Sequence, residues 1–278
     1  MNTPKISIVT PTYNMLHYLK HCISSVADQD VAHEHIIVDG RSSDGTPEWL
    51  QANEGLRWVS EKDRGMYDAL NKGLGMARGE IVAHLNSDEQ YLPGTLRFIA
   101  DYFDRHPEVD FVVGDFLLID NEGDLKAYRK TFTPYWPFFF SNYLYTFTCT
   151  LFYRKRVIEK IQYNTEFKSI ADVDFFYKMI KEGFKGAHIR QFLAVFTLTG
   201  KNLSADPISE KEKEIYRSKY LPGWFPLAKP FFRAGFYIAR IWHGTLKHRG
   251  SLSYAIYTNK SPHERISKQV SNITWKWN

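Results

Sequence analysis

Cysteine is scarce in this chain: Cys22 and Cys149 are the only two among 278 residues. Two thiols build neither a disulfide framework nor a four-ligand zinc site, so a reducing, cytoplasmic compartment is expected and secretion is not. Met1 to Lys5 leads straight into the first β-type run with no apolar leader core, and the mature protein is expected to start at Met1 without a targeting segment. Long apolar runs are missing too. The longest uncharged stretch, Thr131 to Tyr153, exceeds a membrane span in length but carries Pro134, Pro137, Asn142 and several hydroxyl residues. It reads as protein-buried or surface-seeking, not as spanning. Neither Gly-x-x-x-x-Gly-Lys-Ser/Thr nor Gly-x-Gly-x-x-Gly follows the first strand, which argues against a P-loop NTPase and a dinucleotide enzyme. None of the ten histidines has the spacing of a metal motif.

Acidic residues almost vanish from the last part of the chain. Residues 215–278 hold 11 Lys and Arg against the single Glu264, a net of +10, whereas residues 1–214 hold 25 against 30, a net of −5. The overall +5 is therefore two opposite fields, an acidic body and a basic tail that suits an anionic partner. No helix-turn-helix, zinc-finger or RNA-binding signature accompanies the tail, so nucleic acid is not the expected partner.

What the chain does have is regular alternation. Ile6–Thr10, His35–Asp39, Arg57–Glu61 and Glu80–Leu85 are short apolar strands. Between them, Leu16–Val26, a segment opened by Thr46 and Pro47, and Met66–Met76 have helical apolar spacing. Strands separated by helices predict a parallel, doubly wound sheet with ligand sites at the carboxyl ends of the strands. Further on, Leu96–Phe103 and Phe175–Ile180 read as helices, Phe111–Ile119 and Phe192–Leu198 as strands, and a charged linker is expected from Asp206.

The strand ends are polar: Pro11-Thr12-Tyr13-Asn14 after the first, Asp39 after the second, Asp63 past the third, and Asn86-Ser87-Asp88-Glu89 after the fourth. Each alone reads equally well as a turn former; together they converge on one rim of a parallel sheet. Acids gathered there call for a cation. Asp88 offers hard oxygens to Mg²⁺ or Mn²⁺, and Asp39 is suited to accept hydrogen bonds from a base or ribose, a pattern fit for a nucleoside diphosphate.

Four ordered blocks now carry a resemblance: Ser7-Ile-Val-Thr-Pro-Thr-Tyr-Asn14, Ile37-Val-Asp-Gly-Arg-Ser-Ser-Asp-Gly-Thr46, Glu61-Lys-Asp-Arg-Gly-Met-Tyr-Asp-Ala-Leu-Asn-Lys-Gly73 and Ala77-Arg-Gly-Glu-Ile-Val-Ala-His-Leu-Asn-Ser-Asp88. Over roughly residues 5–200 the chain resembles the family 2 inverting glycosyltransferases of bacterial cell-surface polysaccharide type. The resemblance implies an α/β GT-A fold, a Rossmann-like mostly parallel sheet flanked by helices. It implies a catalytic domain over 1–204, with a nucleotide-binding half at 1–100 and an acceptor half at 101–204, followed by a basic extension at 205–278. It further implies transfer of a sugar from a nucleotide-diphosphate sugar to a glycan or lipid-linked hydroxyl.

By the same resemblance Pro11, Thr12, Tyr13, Asn14, Asp39 and Asp63 hold the nucleoside side of the donor, and Asn86, Ser87 and Asp88 stand at the family's Asp-x-Asp. Asn86 departs from that pattern, so a divalent cation, Mn²⁺ or Mg²⁺, rests on Asp88. Lys72 and Arg64 are either cations for the phosphates or solvated helix residues. The segment Ile170-Ala-Asp-Val-Asp-Phe-Phe176 resembles the late acidic block that supplies the general base, with Asp172 first and Asp174 second. Either acid is also a natural helix cap. Asp115 is an acceptor-side candidate or a strand-end turn former.

Two features lie outside the blocks. The aromatic run over 131–153 is expected to be part core and part acceptor platform. In the tail, Lys229, Arg233, Arg240 and Lys247 project onto an arc of about 40°, opposite Phe231, Ala234, Ile238, Ile241, Trp242 and Thr245. This predicts a basic amphipathic C-terminal helix over 227–250. Either it lies on an anionic membrane, making the protein peripheral on the cytoplasmic face of the inner membrane, or it packs its apolar side on the body. The competing functions are a sugar nucleotidyltransferase and a non-catalytic glycan- or membrane-binding protein that keeps the fold.

Overall fold

The computed structural model describes residues 3–53, 55–141, 144–200, 202, 208–246, 248 and 250–271. Asn142 and Tyr143 of the aromatic run, the boundary expected at 204/205, Asp206, and Lys247 of the basic stripe lie outside them.

The first part of the chain alternates as its apolar runs predict: β1 (Ile6–Thr12), α1 (Leu16–Ala27), β2 (His33–Asp39), α2 (Thr46–Ala52), β3 (Arg57–Ser60), α3 (Met66–Met76) and β4 (Ile81–His84). β1 and β4 are buried along their whole length, as the near-continuous apolar character of a two-sided parallel strand requires. α2 starts one residue earlier than its capping residues indicate. Asp44 accepts hydrogen bonds from both the amide and hydroxyl of Thr46, so Thr46 is already helical. α3 lies tight on the sheet at Gly73, where a Cβ would meet Val9 at 2.3 Å.

The remainder runs β5 (Glu89–Tyr91), α4 (Thr95–Arg105), β6 (Phe111–Ile119), β7 (Leu125–Arg129), α5 (Trp136–Ser141), β8 (Leu151–Arg154), α6 (Lys155–Ile158), α7 (Ala171–Lys181) and β9 (Gly186–Thr197). One large sheet has the order β3-β2-β1-β4-β8-β6-β9-β5, with β7 paired to β6. β3, β2, β1 and β4 are mutually parallel. Past β4 the sheet is mixed: β8 is antiparallel to both β4 and β6, β9 is parallel to β6, and β5 is antiparallel to β9. One apolar core joins α3, α5 and α7 to one face, and another joins α1 and α4 to the other. This is the layered α/β arrangement of the GT-A fold.

The charged stretch expected as a linker is a helix, α8 (Ile208–Tyr220). Its inward side carries Tyr216, buried against Phe140 and Phe167, and Glu212, whose two oxygens accept the backbone N–H groups of Lys168 and Ser169 at 2.8 and 2.9 Å. α9 (Phe225–Trp242) begins two residues before the helix expected over 227–250 and ends eight residues short of it. Pro226 occupies the first turn, Pro230 lies inside, and Gly244 closes the end at φ 65°. The chain then adds a hairpin that no periodicity announced, β10 (Leu252–Thr258) and β11 (Ser261–Val270). It is bolted to the body by Arg265, which pairs with Asp28 and donates to the carbonyls of Ser25 and Tyr91, and by a two-way bond between Gln90 and the Tyr257 backbone.

Candidate active site

The four strand-end loops are tied to one another. Gly40 donates its amide to the Thr12 carbonyl, and Ser87 donates its hydroxyl to the Pro11 carbonyl at 3.0 Å. Asn14, held at φ 52°, receives the Ser43 amide on Oδ1 and donates its own amide to Ser42 Oγ. Asp39 is fully buried and accepts the Ser42 amide at 3.1 Å and the Ser60 hydroxyl at 2.6 Å. A Cβ on Gly40 would lie 2.7 Å from Asp63 Oδ2 and 3.3 Å from the Tyr13 ring, so Tyr13, Gly40 and Asp63 are immediate neighbours. The Tyr13 ring remains 63% exposed, and Thr12 Oγ1 is buried without a hydrogen-bond partner. Pro11, Thr12, Tyr13, Asn14, Asp39 and Asp63 thus form one continuous rim at the end of the parallel strands.

Asn86, Ser87 and Asp88 adjoin it directly after β4. Glu89 accepts both the Asn86 amide and its Nδ2, leaving Asn86 Oδ1 buried and unpartnered. Asp88 and Glu89 are adjacent carboxyls, and among the described residues no cation pairs with either. Burial pushes both pKa values up, with the charge of Asp88 adding to the rise at Glu89. Asp88 Oδ2 accepts from Asn202 Nδ2 at 2.8 Å, and the same amide donates to the Thr197 carbonyl and receives the Thr199 amide. Nothing in the sequence announced Asn202, which stands alone past β9.

Lys72 stands apart from this group. Its ammonium lies 2.8 Å from Glu61 and 3.5 Å from Asp68, and Arg64 also pairs with Asp68.

The two acids of α7 separate cleanly. They are two residues apart and so point about 160° apart around the helix. Asp174 is buried, accepting from the Tyr216 hydroxyl at 2.7 Å and pairing with Lys178 at 2.7 Å. Asp172 is half-buried, accepts the Val173 amide at 2.8 Å, and has its pKa pushed up to about 6 by desolvation. Tyr67 is buried on α3 beside the start of α7, and burial together with the charge of Asp172 raises its phenol pKa. Tyr163 stacks on Tyr67 and hydrogen-bonds His84, which closes the floor beneath Asp172. Tyr67 lies inside one of the sequence blocks but carries no chemical signature of this position. Asp115 is buried on β6, bonded to the Thr131 amide and to His188.

Within the aromatic run, Phe132, Phe139, Phe140, Tyr145, Phe152 and Tyr153 are core, and Tyr135 is exposed.

Comparison with known proteins bears on the family and the fold. The family described as "Glycosyl transferase family 2" matches residues 7–184. A PGL/p-HBAD biosynthesis glycosyltransferase of Mycobacterium bovis is 30% identical over 187 residues, covering 63% of this chain and 69% of its own. An uncharacterized glycosyltransferase of Methanocaldococcus jannaschii is 23% identical over 228 residues, 78% of each chain. Among solved structures, S. aureus TarS 1-349 in complex with UDP-GlcNAc superposes with a TM-score of 0.63 at 21% identity, covering 86% of this chain and 73% of that one. A longer TarS chain is spanned over 43% of its length. The mannosyltransferase PcManGT from Pyrobaculum calidifontis, in complex with GDP-Man and Mn²⁺, superposes with a TM-score of 0.58 at 19% identity, covering 87% and 72%. With the strand-end rim and the GT-A sheet in hand, the match over 7–184 makes the chain a member of glycosyl transferase family 2.

Proposed function

We propose that this glycosyltransferase moves a sugar from a nucleoside-diphosphate sugar to a hydroxyl of a cell-surface glycan or lipid-linked saccharide, in a single displacement that inverts the anomeric centre. The condition of the Asp172 carboxyl carries the reading. It is half-buried, contacts no cation at ion-pair distance among the described residues, and has a pKa raised to about 6. Such a group is ionised at neutral pH yet basic enough to take the acceptor hydroxyl proton as the oxygen attacks, and a single displacement needs no covalent nucleophile. Asp174, already bonded to Tyr216 and Lys178, serves the fold instead.

The donor lies across the tied rim. Pro11, Thr12, Tyr13, Asn14, Asp39 and Asp63 hold the nucleoside, with the exposed Tyr13 ring offered to the base. Asn86, Ser87 and Asp88 hold the ribose and diphosphate. Lys72, engaged with Glu61 and Asp68, steadies the turn after β3 in place of a phosphate contact.

A divalent cation, Mn²⁺ or Mg²⁺, fits the residues beside Asp88. Half-buried Asp88 and buried Glu89 have no ion-pair partner among the described residues, and Asn86 Oδ1 lacks a hydrogen-bond partner. Among the described residues no cluster of three His, Cys, Asp or Glu exists to cage an ion, so Asp88 and Asn86 would hold it jointly with oxygens of the bound donor. Bound there, the ion would neutralise charge on the departing diphosphate.

The enzyme works in the cytoplasm, peripherally at the inner membrane. The net +10 of residues 215–278 supports this, and among the described residues no helix is long and apolar enough to cross a bilayer.

The test is nucleoside diphosphate release from a panel of UDP-, GDP-, dTDP- and CDP-sugars. The wild-type protein is expected to turn over at least one of them and Asp88→Ala none. Pyrophosphate release would indicate a nucleotidyltransferase, and an inert wild-type protein would indicate a non-catalytic binder; either outcome overturns the proposal.

A further inference from the structure

α9 is apolar on two sides. Its inner side is covered: Phe225 stacks on Phe232 and meets Trp136 at 5.8 Å, and Phe236 packs on Phe138 at 5.7 Å and on Tyr145 at 5.4 Å. Its outer side is bare. Leu227 is 82% exposed, Phe231 78%, Ile238 65%, Ile241 66% and Trp242 85%. Projected at about 100° per residue, these five span roughly 100° on the side away from Phe225, Phe232 and Phe236, and Tyr237 and Trp224 extend the arc to about 140°. A helix that is apolar all round belongs in a core or against lipid, and an ordinary surface helix is polar on its outer side.

The flanks of this bare side have a definite chemistry. Arg233 and Lys229 lie along one border beyond Tyr237, and Trp224 and Trp242 along the other. Arg240, expected as part of an exposed basic stripe, is instead buried with its guanidinium over the Phe236 ring. The expected stripe is thus divided, and the apolar side is the one that faces outward. No Asp or Glu occurs between residues 215 and 263, while eight Lys and Arg do. Glu210 of α8 is the acid within electrostatic reach of Lys229. Indole rings at the rim, apolar side chains at the centre and cations at the border are what a helix lying in the plane of an anionic bilayer presents.

We propose that α9 inserts this outer face, centred on Phe231 and Ile238, into the interfacial region of an anionic lipid bilayer. The inference rests on the peripheral location proposed above and names the element that produces it. It also gives the location a catalytic consequence. The inner side of α9 is locked to α5, and α5 to α7, where Trp136 meets Tyr177 at 5.5 Å and Phe139 meets Phe176 at 5.8 Å. Tyr177 is five residues from Asp172, about 7.5 Å of helix rise. A chain of aromatic contacts therefore runs from the inner side of α9 to the helix that carries the base. With interaxial spacings of about 8–10 Å, the base stands no more than roughly 20–25 Å from the anchor axis. The acceptor hydroxyl is then one presented from the same bilayer, on a lipid-linked saccharide.

The experiment uses the full chain and sedimentation with vesicles of phosphatidylcholine containing 30% phosphatidylglycerol, without donor or acceptor, so that its outcome does not depend on turnover. Wild type is expected to pellet with the vesicles. Phe231→Glu/Ile238→Glu, two exposed positions, is expected to bind at least about 10-fold more weakly while keeping the wild-type melting temperature and its nucleoside diphosphate release. Arg233→Glu is expected to weaken binding to these vesicles and to leave the smaller binding to pure phosphatidylcholine unchanged. Brominated lipid is expected to quench wild-type tryptophan fluorescence more than that of Trp242→Phe. Wild type remaining in the supernatant, a double variant that pellets like wild type, or a wild-type dimer in solution that the double variant abolishes would each overturn the inference, the last by assigning the face to a second copy. If vesicle binding holds and no sugar nucleotide is turned over, the catalytic reading fails and the anchor stands.

Discussion

Replacing Asp172 by Asn separates catalysis from stability, because the same desolvation that makes the carboxyl a base makes it a burden on the fold. Its pKa rises from 3.8 to about 6 on folding. Two units at 1.36 kcal/mol each set an upper limit of roughly 3 kcal/mol against the folded state, and screening of a half-buried group leaves about 1–2 kcal/mol. The sign follows from linkage. Below about pH 3.8 both states carry the proton and the penalty is absent. Between 3.8 and 6 only the unfolded state ionises and the penalty grows; above 6 it is complete. Asp172→Asn keeps an oxygen to receive the Val173 amide and removes the charge. Its melting temperature is therefore expected to exceed wild type by a few degrees at pH 7.5 and to converge with it near pH 4. Turnover is expected to fall by about 10²-fold or more, with nucleotide binding nearly intact. Wild-type turnover is expected to climb through an apparent pKa near 6 and stay level above 7. Paired calorimetry and initial-rate measurements over pH 4 to 8 decide the matter. A variant with wild-type turnover, or one destabilised at pH 7.5, would refute the reasoning.

Three further substitutions probe the supports of the site. Tyr67→Phe removes a buried hydroxyl beside Asp172, which is expected to displace the acid limb of the rate profile, a change that simple loss of stability does not produce. Gly40→Ala drives a methyl into Asp63 and Tyr13; sugar-nucleotide affinity is expected to drop at least about 10-fold by calorimetric titration, with the fold retained. Asp88→Asn is expected to abolish the extra thermal stabilisation that Mn²⁺ adds to a bound nucleoside diphosphate, and stabilisation equal to wild type would show that Asp88 holds no ion.

The parallel half of the sheet was legible because its strands are short apolar runs, β1 and β4 buried on both faces, and each helix repeats at its own period. Beyond β4 that signal fades. The order β8-β6-β9-β5 arises from pairings between distant segments, which local patterning does not encode. α8 read as a linker because its inward residues include a charged one, Glu212, whose burial is explained only by the two backbone amides it receives. The rim residues were visible as polar strand ends, since a parallel sheet gathers them whatever the loops do. Asp172 ranked ahead of Asp174 by resemblance alone: both fall in the first turn of α7, and the bond from Tyr216 on α8 is what engages Asp174 in the fold. Tyr67 and Asn202 were missed for the same reason, because each acts through contacts that the fold creates. α9 showed its apolar and basic residues plainly, but its second apolar side became meaningful only once Phe225, Phe232 and Phe236 were seen to be the ones covered.

The central claim is a single displacement assisted by Asp172, and the anomeric configuration of the product tests it most directly. Proton NMR of the first product formed from a donor of known configuration is expected to show the opposite anomer, with formation suppressed about 10²-fold in Asp172→Asn. A product that retains the donor configuration would contradict the account.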